Sequence, residues 1–311
     1  MARRARGRPI HGWLCLDKPA GLTSTQALGR VKRLIDPRKA GHGGTLDPIA
    51  TGILPIALGE ATKTVAHVMD AAKTYRFTAR FGEQRTTDDS EGELVASADL
   101  RPHDDAIRAA LPGFTGEIDQ TPPIFAAVKI AGERAYDMAR RGETVELEPR
   151  QVRIDRLELI ERLDDDHAVF EMVCGKGTYV RALVRDLGVQ LGCLAHVSAL
   201  RRLAVGSFTT DNAVTLETLE RLVADDSLPQ ALVSLKTALA DIPALAITEP
   251  QAQRLRAGQR LRVPAALVMG RQMATDDAAD VPLVRAMSAG QVVALASLEA
   301  GELKALRVFN C

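Results

Sequence analysis

The feature that most restricts the fold is a set of strands with strict two-residue alternation. Residues 73–81 (KTYRFTARF) place Tyr75 and Phe77 on one face and arginines on the other, the pattern of a strand with one buried face. Residues 152–163 and 168–174 alternate in the same way on either side of a turn, which predicts a β-hairpin. Strands and helices follow each other without βαβ regularity. The pattern favours an α+β domain on a mixed, largely antiparallel sheet.

Helix signals fall between these strands. Threonine and serine at 23–25 supply N-cap oxygens for a helix that runs to about Leu34. The stretch 175–178 opens a second helix that ends near Leu191, and two further helical patterns lie within 215–240. The sheet is therefore expected to be flanked by helices.

The chain has 311 residues, a length that fits two domains with a core in each. Residues 1–11 are predicted to form a basic flexible tail, 12–242 a large domain, and 243–311 a small β-rich domain. Within the large domain, prolines bound the segment 120–150, which is predicted to be a loop-like insertion with a helix around Arg134–Arg141.

Composition narrows the class of protein. The chain is 46% apolar and 26% charged, as ordinary globular proteins are. No uncharged apolar run approaches the ~18 residues of a membrane helix, and the first residues lack the apolar stretch of a secretory signal. The 4 cysteines are dispersed, which suits reduced thiols. A cytoplasmic protein without membrane contact is predicted. A monomer is expected, because no exposed apolar heptad suggests an interface.

Charge is unevenly distributed although the formal net charge is zero. Residues 1–40 contain ten Lys/Arg and two Asp, and residues 250–275 contain five arginines and no acid, whereas acidic residues gather in 83–105. A basic face on a neutral protein is typical of phosphate-backbone binding. A solvated surface without a partner is the alternative reading of the same charges.

Residues 41–48 (GHGGTLDP) contain the candidate catalytic group. The glycines are not followed by a Walker lysine, the 6 histidines have no metal-ligand spacing, and no G-x-S-x-G motif is present. No metal or cofactor is therefore predicted. A single carboxylate remains, Asp47, which is stiffened by Pro48 and preceded by glycines that would let a planar ligand approach. By itself, the segment also fits an ordinary turn in which Asp47 caps the next element.

Several segments together resemble the TruB-type tRNA pseudouridine-55 synthases. In order, they are GWLCLDKPAGLTS, GHGGTLDPIATGILPIALGEATK, KTYRFTARFG, GKGTYVRALVRDLG and LRRLAVGSF. The resemblance covers roughly residues 12–240, and the tail from 244 is more weakly similar to the family's PUA-like C-terminal domain. It implies a pseudouridine-synthase catalytic domain in which the insertion 120–150 is a thumb that grips RNA.

The resemblance implies an isomerase that converts uridine to pseudouridine at position 55, in the T-loop of tRNA. Enzymes of this family flip the uridine, break its N1–C1′ bond, rotate the uracil and rejoin it through C5. They need no cofactor, metal or obligatory protein partner, so the T-arm of tRNA is the implied partner. Two alternatives stay open: a synthase that acts on another structured RNA, and a non-catalytic RNA-binding or RNA-folding module.

The resemblance also implies roles for individual residues. Asp47 corresponds to the catalytic nucleophile, and three routes stay open for it: attack on C1′, attack on uracil C6, or a glycal-like elimination. Arg181 corresponds to its ionic partner, and Tyr75 to the aromatic ring that stacks on the flipped base and supplies a candidate base. The remaining positions contact the nucleotide (Tyr179, Leu200), fill the space of displaced bases (His42), or support the loop (Lys18, Pro19, Gly43, Gly44). Phe125–Ala126 departs from the Tyr-Ser that is common in the family.

Overall fold

The computed structural model describes residues 7–126, 129–130, 133–134, 141, 147–263, 283–299 and 301–310. Residues 1–6 of the predicted tail, and much of the predicted insertion with its helix, lie outside the described residues. Residues 8–11 were expected to be part of a flexible tail but are hydrogen-bonded. The Arg8 amide donates to the Asp36 carbonyl over 2.6 Å, and His11 accepts from the Glu60 amide over 3.1 Å.

The described residues form nineteen strands, which share two large sheets and two small hairpins. In chain order they are β1 (Gly12–Lys18), β2 (Ala40–His42), β3 (Thr51–Leu58), β4 (Lys73–Phe81), β5 (Glu83–Arg85), β6 (Leu94–Ser97), β7 (Gly116–Gln120), β8 (Lys129–Ile130), β9 (Glu133–Arg134), β10 (Arg150–Arg162), β11 (His167–Cys174), β12 (Ala195–Val205), β13 (Phe208–Thr209), β14 (Leu232–Val233), β15 (Ala244–Ala246), β16 (Leu261–Arg262), β17 (Leu283–Ser288), β18 (Gln291–Glu299) and β19 (Glu302–Val308).

Seven α-helices lie in the described part of the chain: α1 (Ser24–Ile35), α2 (Val65–Asp70), α3 (Asp104–Ala110), α4 (Val180–Gln190), α5 (Leu216–Ala224), α6 (Leu235–Ala238) and α7 (Glu249–Arg256). Helix α1 shows why the helix signals were reliable. Thr23 and Gln26 form a reciprocal capping box at its start, and Asp36 ends it in the left-handed region at φ 50°. The predicted helix is confirmed to within one residue at its end.

The central sheet has ten strands in the order β14-β1-β3-β12-β4-β11-β10-β7, with β2 paired to β3 and β13 paired to β12. Every pairing is antiparallel except that of β3 with β12. The predicted strand at 73–81 is confirmed at both ends, as is the predicted hairpin, which is formed by β10 and β11. The mixed, largely antiparallel α+β fold is confirmed.

Two cores cover the faces of the central sheet, and one of them continues into the C-terminal part. That core contains Trp13 and Phe208, whose ring centroids are 5.3 Å apart, together with Val292 and Phe309 from the C-terminal part of the chain. The Lys63 ammonium also donates to the Val308 carbonyl over 2.8 Å. A β-rich C-terminal sheet, in the order β15-β17-β18-β19-β16, is therefore packed on the first domain.

Some elements were not predicted from the sequence. The acidic stretch after residue 82 forms the hairpin β5–β6. Strand β12 is followed at once by β13, because Gly206 turns the chain at φ 51° and the two strands pair. No element was predicted for β3, which contains Pro55, a residue that is unusual inside a sheet. Pro55 is opposite Cys15 in the register, and its carbonyl accepts a hydrogen bond from the Gly43 amide over 2.8 Å.

In the described parts of the chain, no helix is both long enough and apolar enough to cross a membrane. The C-terminal sheet has five strands, and the short strands β15 and β16 form its two edges.

Candidate active site

A cavity of about 480 Å³ opens between the loop after β2 and the loop before α4. Asp47 lies in its wall, as do Tyr75 from β4, Arg181 from α4 and Leu200 from β12. These residues come from four separated segments, which the sheet order brings together because β12 lies between β3 and β4. The cavity therefore gathers most of the residues that the sequence singled out.

The Asp47 carboxylate is held side-on by Arg181. Arg181 Nη2 donates to Asp47 Oδ1 over 3.1 Å, and Arg181 Nε lies 2.9 Å from Asp47 Oδ2. The arginine side chain is only 5% exposed, whereas the carboxylate is 32% exposed. The hydrogen bond from Nη2 and the ion-pair contact at Nε together fix the orientation of the carboxylate. One face of Asp47 remains open to a molecule in the cavity.

Arg181 is itself fixed by neighbours on two other segments. Its Nη1 donates to the Thr87 carbonyl and its Nη2 to the Phe125 carbonyl, each over 3.0 Å. Asp89, which is 3% exposed, lies 3.7 Å from Nε. The contact at Phe125 is made by the backbone, so the departure from the family's residue type there leaves it intact.

The loop that carries Asp47 is tied to the start of α1. Ser24 and Leu46 exchange two hydrogen bonds, of 3.1 and 2.7 Å. The buried Lys18 ammonium donates to the carbonyls of Pro19, Leu22 and Pro48 over 2.9, 2.7 and 3.5 Å. Burial lowers the pKa of Lys18 to about 8. These contacts fix the residues immediately before and after Asp47 to β1 and to the start of α1.

The glycines of the loop are required by contacts within the protein as well as by the space for a ligand. A Cβ on Gly43 would lie 3.0 Å from Val68 and 3.3 Å from the Trp13 ring, so these core side chains would have to shift by a few tenths of an ångström to admit a side chain there. Gly44 has φ +126°, a conformation that other residues rarely adopt, and it lines the cavity. The close approach expected at Gly43 is therefore to Trp13, and only Gly44 faces the ligand space.

Two phenols line the cavity. Tyr75 is half-buried, and burial raises the pKa of its phenol although the Arg202 guanidinium opposes part of that rise. Tyr179 precedes α4, and its backbone exchanges hydrogen bonds of 2.8 and 3.1 Å with the Gln120 side chain. Burial also raises the pKa of Tyr179, with the Asp47 charge adding to the effect. Both side chains are therefore neutral rings at physiological pH.

The other predicted residues lie behind the cavity. His42, on β2, is half-buried, and its Nδ1 has no hydrogen-bond partner among the described residues. Burial lowers its pKa, which keeps the ring neutral. Neither His42 nor Lys18, Pro19 or Gly43 lines the cavity; they stand in the elements that support it.

Sequence reasoning missed two buried cations in the cavity wall, Lys73 and Arg202, and also the exposed Arg150 and Lys176. Lys73 is 7% exposed and Arg202 is 1% exposed. Both lie inside segments that were recognised, and their burial was the signal that the sequence could not give. In the described part of the chain, no group of three or more His, Cys, Asp or Glu side chains is arranged to hold a metal ion.

Comparison with known proteins places this fold in a class. A chain in the solved structure of an H/ACA RNP bound to a substrate RNA containing 2′-deoxyuridine superimposes with a TM-score of 0.73 at 24% identity, over 100% of this chain and 92% of that chain. The family model for the TruB pseudouridylate synthase N-terminal domain matches residues 32–180. The model for the tRNA pseudouridylate synthase B C-terminal domain matches residues 181–240. The protein is thus a pseudouridine synthase, an isomerase.

Relatives that align over nearly the whole chain identify the family within this class. The tRNA pseudouridine synthase B of Gluconacetobacter diazotrophicus is 52% identical over 307 residues, covering 97% of this chain and 98% of that protein. The protein of the same name from Caulobacter vibrioides is 52% identical over 313 residues, covering 100% of this chain and 99% of that protein. The chain belongs to the TruB family of pseudouridine synthases.

Proposed function

We propose that the protein converts uridine 55, in the T-loop of tRNA, to pseudouridine, acting alone in the cytoplasm as a monomer. The observation that carries the proposal is the open-faced Asp47 carboxylate, clamped by Arg181 beside two aromatic side chains in one cavity. The names of the relatives from Gluconacetobacter and Caulobacter, which state a tRNA substrate, support the choice of RNA.

The cavity receives a single flipped nucleotide. Extraction of a base from a folded loop costs a few kcal/mol, and stacking on an aromatic side chain returns about 1–3 kcal/mol. Tyr75 provides that surface, and Leu200, which is 8% exposed, provides an apolar contact beside it. The uracil ring is thereby held next to the carboxylate of Asp47.

The reaction is an isomerisation without net change in composition. The N1–C1′ bond breaks with Asp47 acting as the ionised group, the uracil rotates, and a C5–C1′ bond forms. C5 then loses its proton and N1 ends protonated, so atoms and charge balance. The raised pKa of Tyr75 leaves its phenol protonated, which favours stacking over a role as the resting base. Arg181 keeps the carboxylate oriented while the uracil turns.

Exchange of Tyr75 tests the stacking role. Tyr75→Phe keeps the ring and is expected to retain RNA affinity within about threefold, whereas Tyr75→Leu loses the ~1–3 kcal/mol of stacking and binds about 5- to 150-fold more weakly. Affinity is measured by filter binding of an unmodified tRNA transcript. Equal affinities of the two variants would remove stacking as the task of this residue.

The pH dependence of RNA affinity tests the buried lysine of the cavity. Burial lowers the pKa of Lys73 to about 8, so its charge is present below that pH and is lost as the pH rises above it. We expect RNA affinity to fall as the pH rises from 7 to 9, because one cation near the phosphate backbone is neutralised. Lys73→Met should bind more weakly at pH 7 and lose less affinity over that range. A parallel decline in both proteins counts against Lys73 as the source.

The direct test of the proposed function uses a tRNA transcript with tritium at C5 of its uridines. Formation of pseudouridine releases that tritium to solvent, and one equivalent per tRNA is expected, with none from a transcript whose T-loop uridine 55 is replaced by cytidine. Release that persists after this replacement would redirect the proposal to another uridine. Tight binding without any release would favour the RNA-binding alternative.

A further inference from the structure

Arg202 is a buried cation in an unusual environment. It lies on β12 and is 1% exposed, yet among the described residues no carboxylate forms an ion pair with it. Its neighbour Arg201, by contrast, donates to Asp17 over 3.0 and 2.7 Å. A buried guanidinium that lacks a carboxylate partner is costly. The position of the Arg202 side chain is therefore explained by contacts other than an ion pair.

The guanidinium of Arg202 holds both ends of the segment that carries Asp47. Its Nη2 donates to the Gly44 carbonyl over 3.1 Å and its Nη1 reaches the Thr45 carbonyl over 3.4 Å. Its Nε donates to the Ile53 carbonyl, on β3, over 2.7 Å. A planar, rigid fork can hold several acceptors at once, which an ammonium cannot do with the same geometry.

The sheet register places Arg202 directly beside the stacking residue. Arg202 is opposite Tyr75 in the pairing of β12 with β4 and opposite Gly52 in the pairing with β3. A Cβ on Gly52 would lie 2.1 Å from the Arg202 carbonyl, so the two strands approach closely here. The Arg202 guanidinium also lowers the pKa of the Tyr75 phenol against the effect of burial.

We propose that Arg202 is a positioning residue that sets the separation between the Asp47 carboxylate and the Tyr75 ring. This inference rests on the proposed function, since it needs a reacting carboxylate and a stacked base. One side chain fixes the backbone two and three residues before Asp47 and, on the opposite side, the ring across the strand pair. Loss of the side chain releases both groups together, so the bound uracil is no longer aligned with the carboxylate.

The test compares Arg202→Met with the matched variant Arg201→Met, which removes an arginine from the next position of the same strand. We expect Arg202→Met to lower kcat for tritium release about 100-fold, the size of effect that a misplacement of about 1 Å causes. RNA affinity should stay within about threefold. Arg202→Lys should recover part of kcat, and Arg201→Met should keep kcat within about threefold of the parent protein.

A spectroscopic readout separates positioning from general loss of structure. The chain has 3 tyrosines, so 3-fluorotyrosine labelling gives three ¹⁹F signals, and Tyr75→Phe identifies one of them. In Arg202→Met the Tyr75 signal should move and titrate at higher pH, while in Arg201→Met it should stay in place. A kcat of Arg202→Met within threefold of the control, or a Tyr75 signal that does not move, overturns the inference.

Two further outcomes keep the test decisive. If Arg202→Met does not fold, Arg202→Lys takes its place: a full kcat there overturns the inference, and a lowered kcat with unchanged affinity supports it. If Asp47→Asn retains turnover, the proposed function itself fails, whatever Arg202 does. An inactive Asp47→Asn together with a fully active Arg202→Met rejects only the role of Arg202.

Discussion

Asp47→Asn is expected to lower tritium release from C5-labelled tRNA by at least about 10⁴-fold, because the amide cannot replace an ionised carboxylate at the reacting sugar or base. The amide has nearly the same shape, and Arg181 remains anchored to the Thr87 and Phe125 carbonyls. RNA affinity should therefore stay within about threefold of the parent protein.

A matched surface variant serves as the control for this experiment. Asp165 is exposed in the turn between β10 and β11, at the end of β11 that is remote from the cavity, so Asp165→Asn should release tritium at the parental rate. Activity of Asp47→Asn above about one hundredth of the parental rate would contradict a catalytic carboxylate at this position. Loss of RNA binding in Asp47→Asn would instead assign Asp47 to substrate recognition.

Arg181→Met is expected to lower kcat about 10³-fold and to lower the free energy of unfolding by about 3–5 kcal/mol, the cost of breaking a buried ion pair by removing one partner. The side chain is 5% exposed, and its loss leaves the carboxylate of Asp89, which is 3% exposed, without its nearby cation. Arg181→Lys keeps a charge but loses the planar fork, and an intermediate kcat is expected.

Activity and urea denaturation are measured on the same preparations of these variants. Arg221→Met, on the exposed face of α5, is the control and should change neither quantity by more than the experimental spread. A folded Arg181→Met with parental kcat would show that Asp47 needs no ionic partner. A kcat that falls only in proportion to the unfolded fraction would assign Arg181 to stability alone.

Much of the secondary structure could be predicted from local sequence patterns, because the physical causes of these patterns are local. The alternation of 73–81 predicted β4 at both ends, since one face of that strand is largely buried and the other is less buried. The oxygens at 23–25 predicted the start of α1, since a helix start must satisfy its own free amides. The hairpin of β5 and β6 could not be predicted in the same way, because neither strand has an apolar face in the core.

Some residues of the candidate site could also be named from the sequence, and others could not. Asp47, Tyr75 and Arg181 could be named from the sequence because they stand in recognisable segments, and the structure gathers them in one cavity. The partners of Arg181 at Thr87 and Phe125 could not be named, since they are backbone carbonyls 94 and 56 residues away. A carbonyl leaves no mark in the residue type, so only the folded chain reveals such contacts.

The sequence by itself determined the family, the α+β class, the positions of the main strands and helices, and the candidate catalytic carboxylate. Only the tertiary structure shows that the Trp13 ring occupies the space in which a side chain on Gly43 would lie. Only the tertiary structure shows that the buried Arg202 contacts the loop and stands opposite Tyr75. The reason is physical: periodicity and capping depend on neighbours in the chain. Burial and cross-strand contact depend instead on the register of a sheet that joins residues more than 100 positions apart.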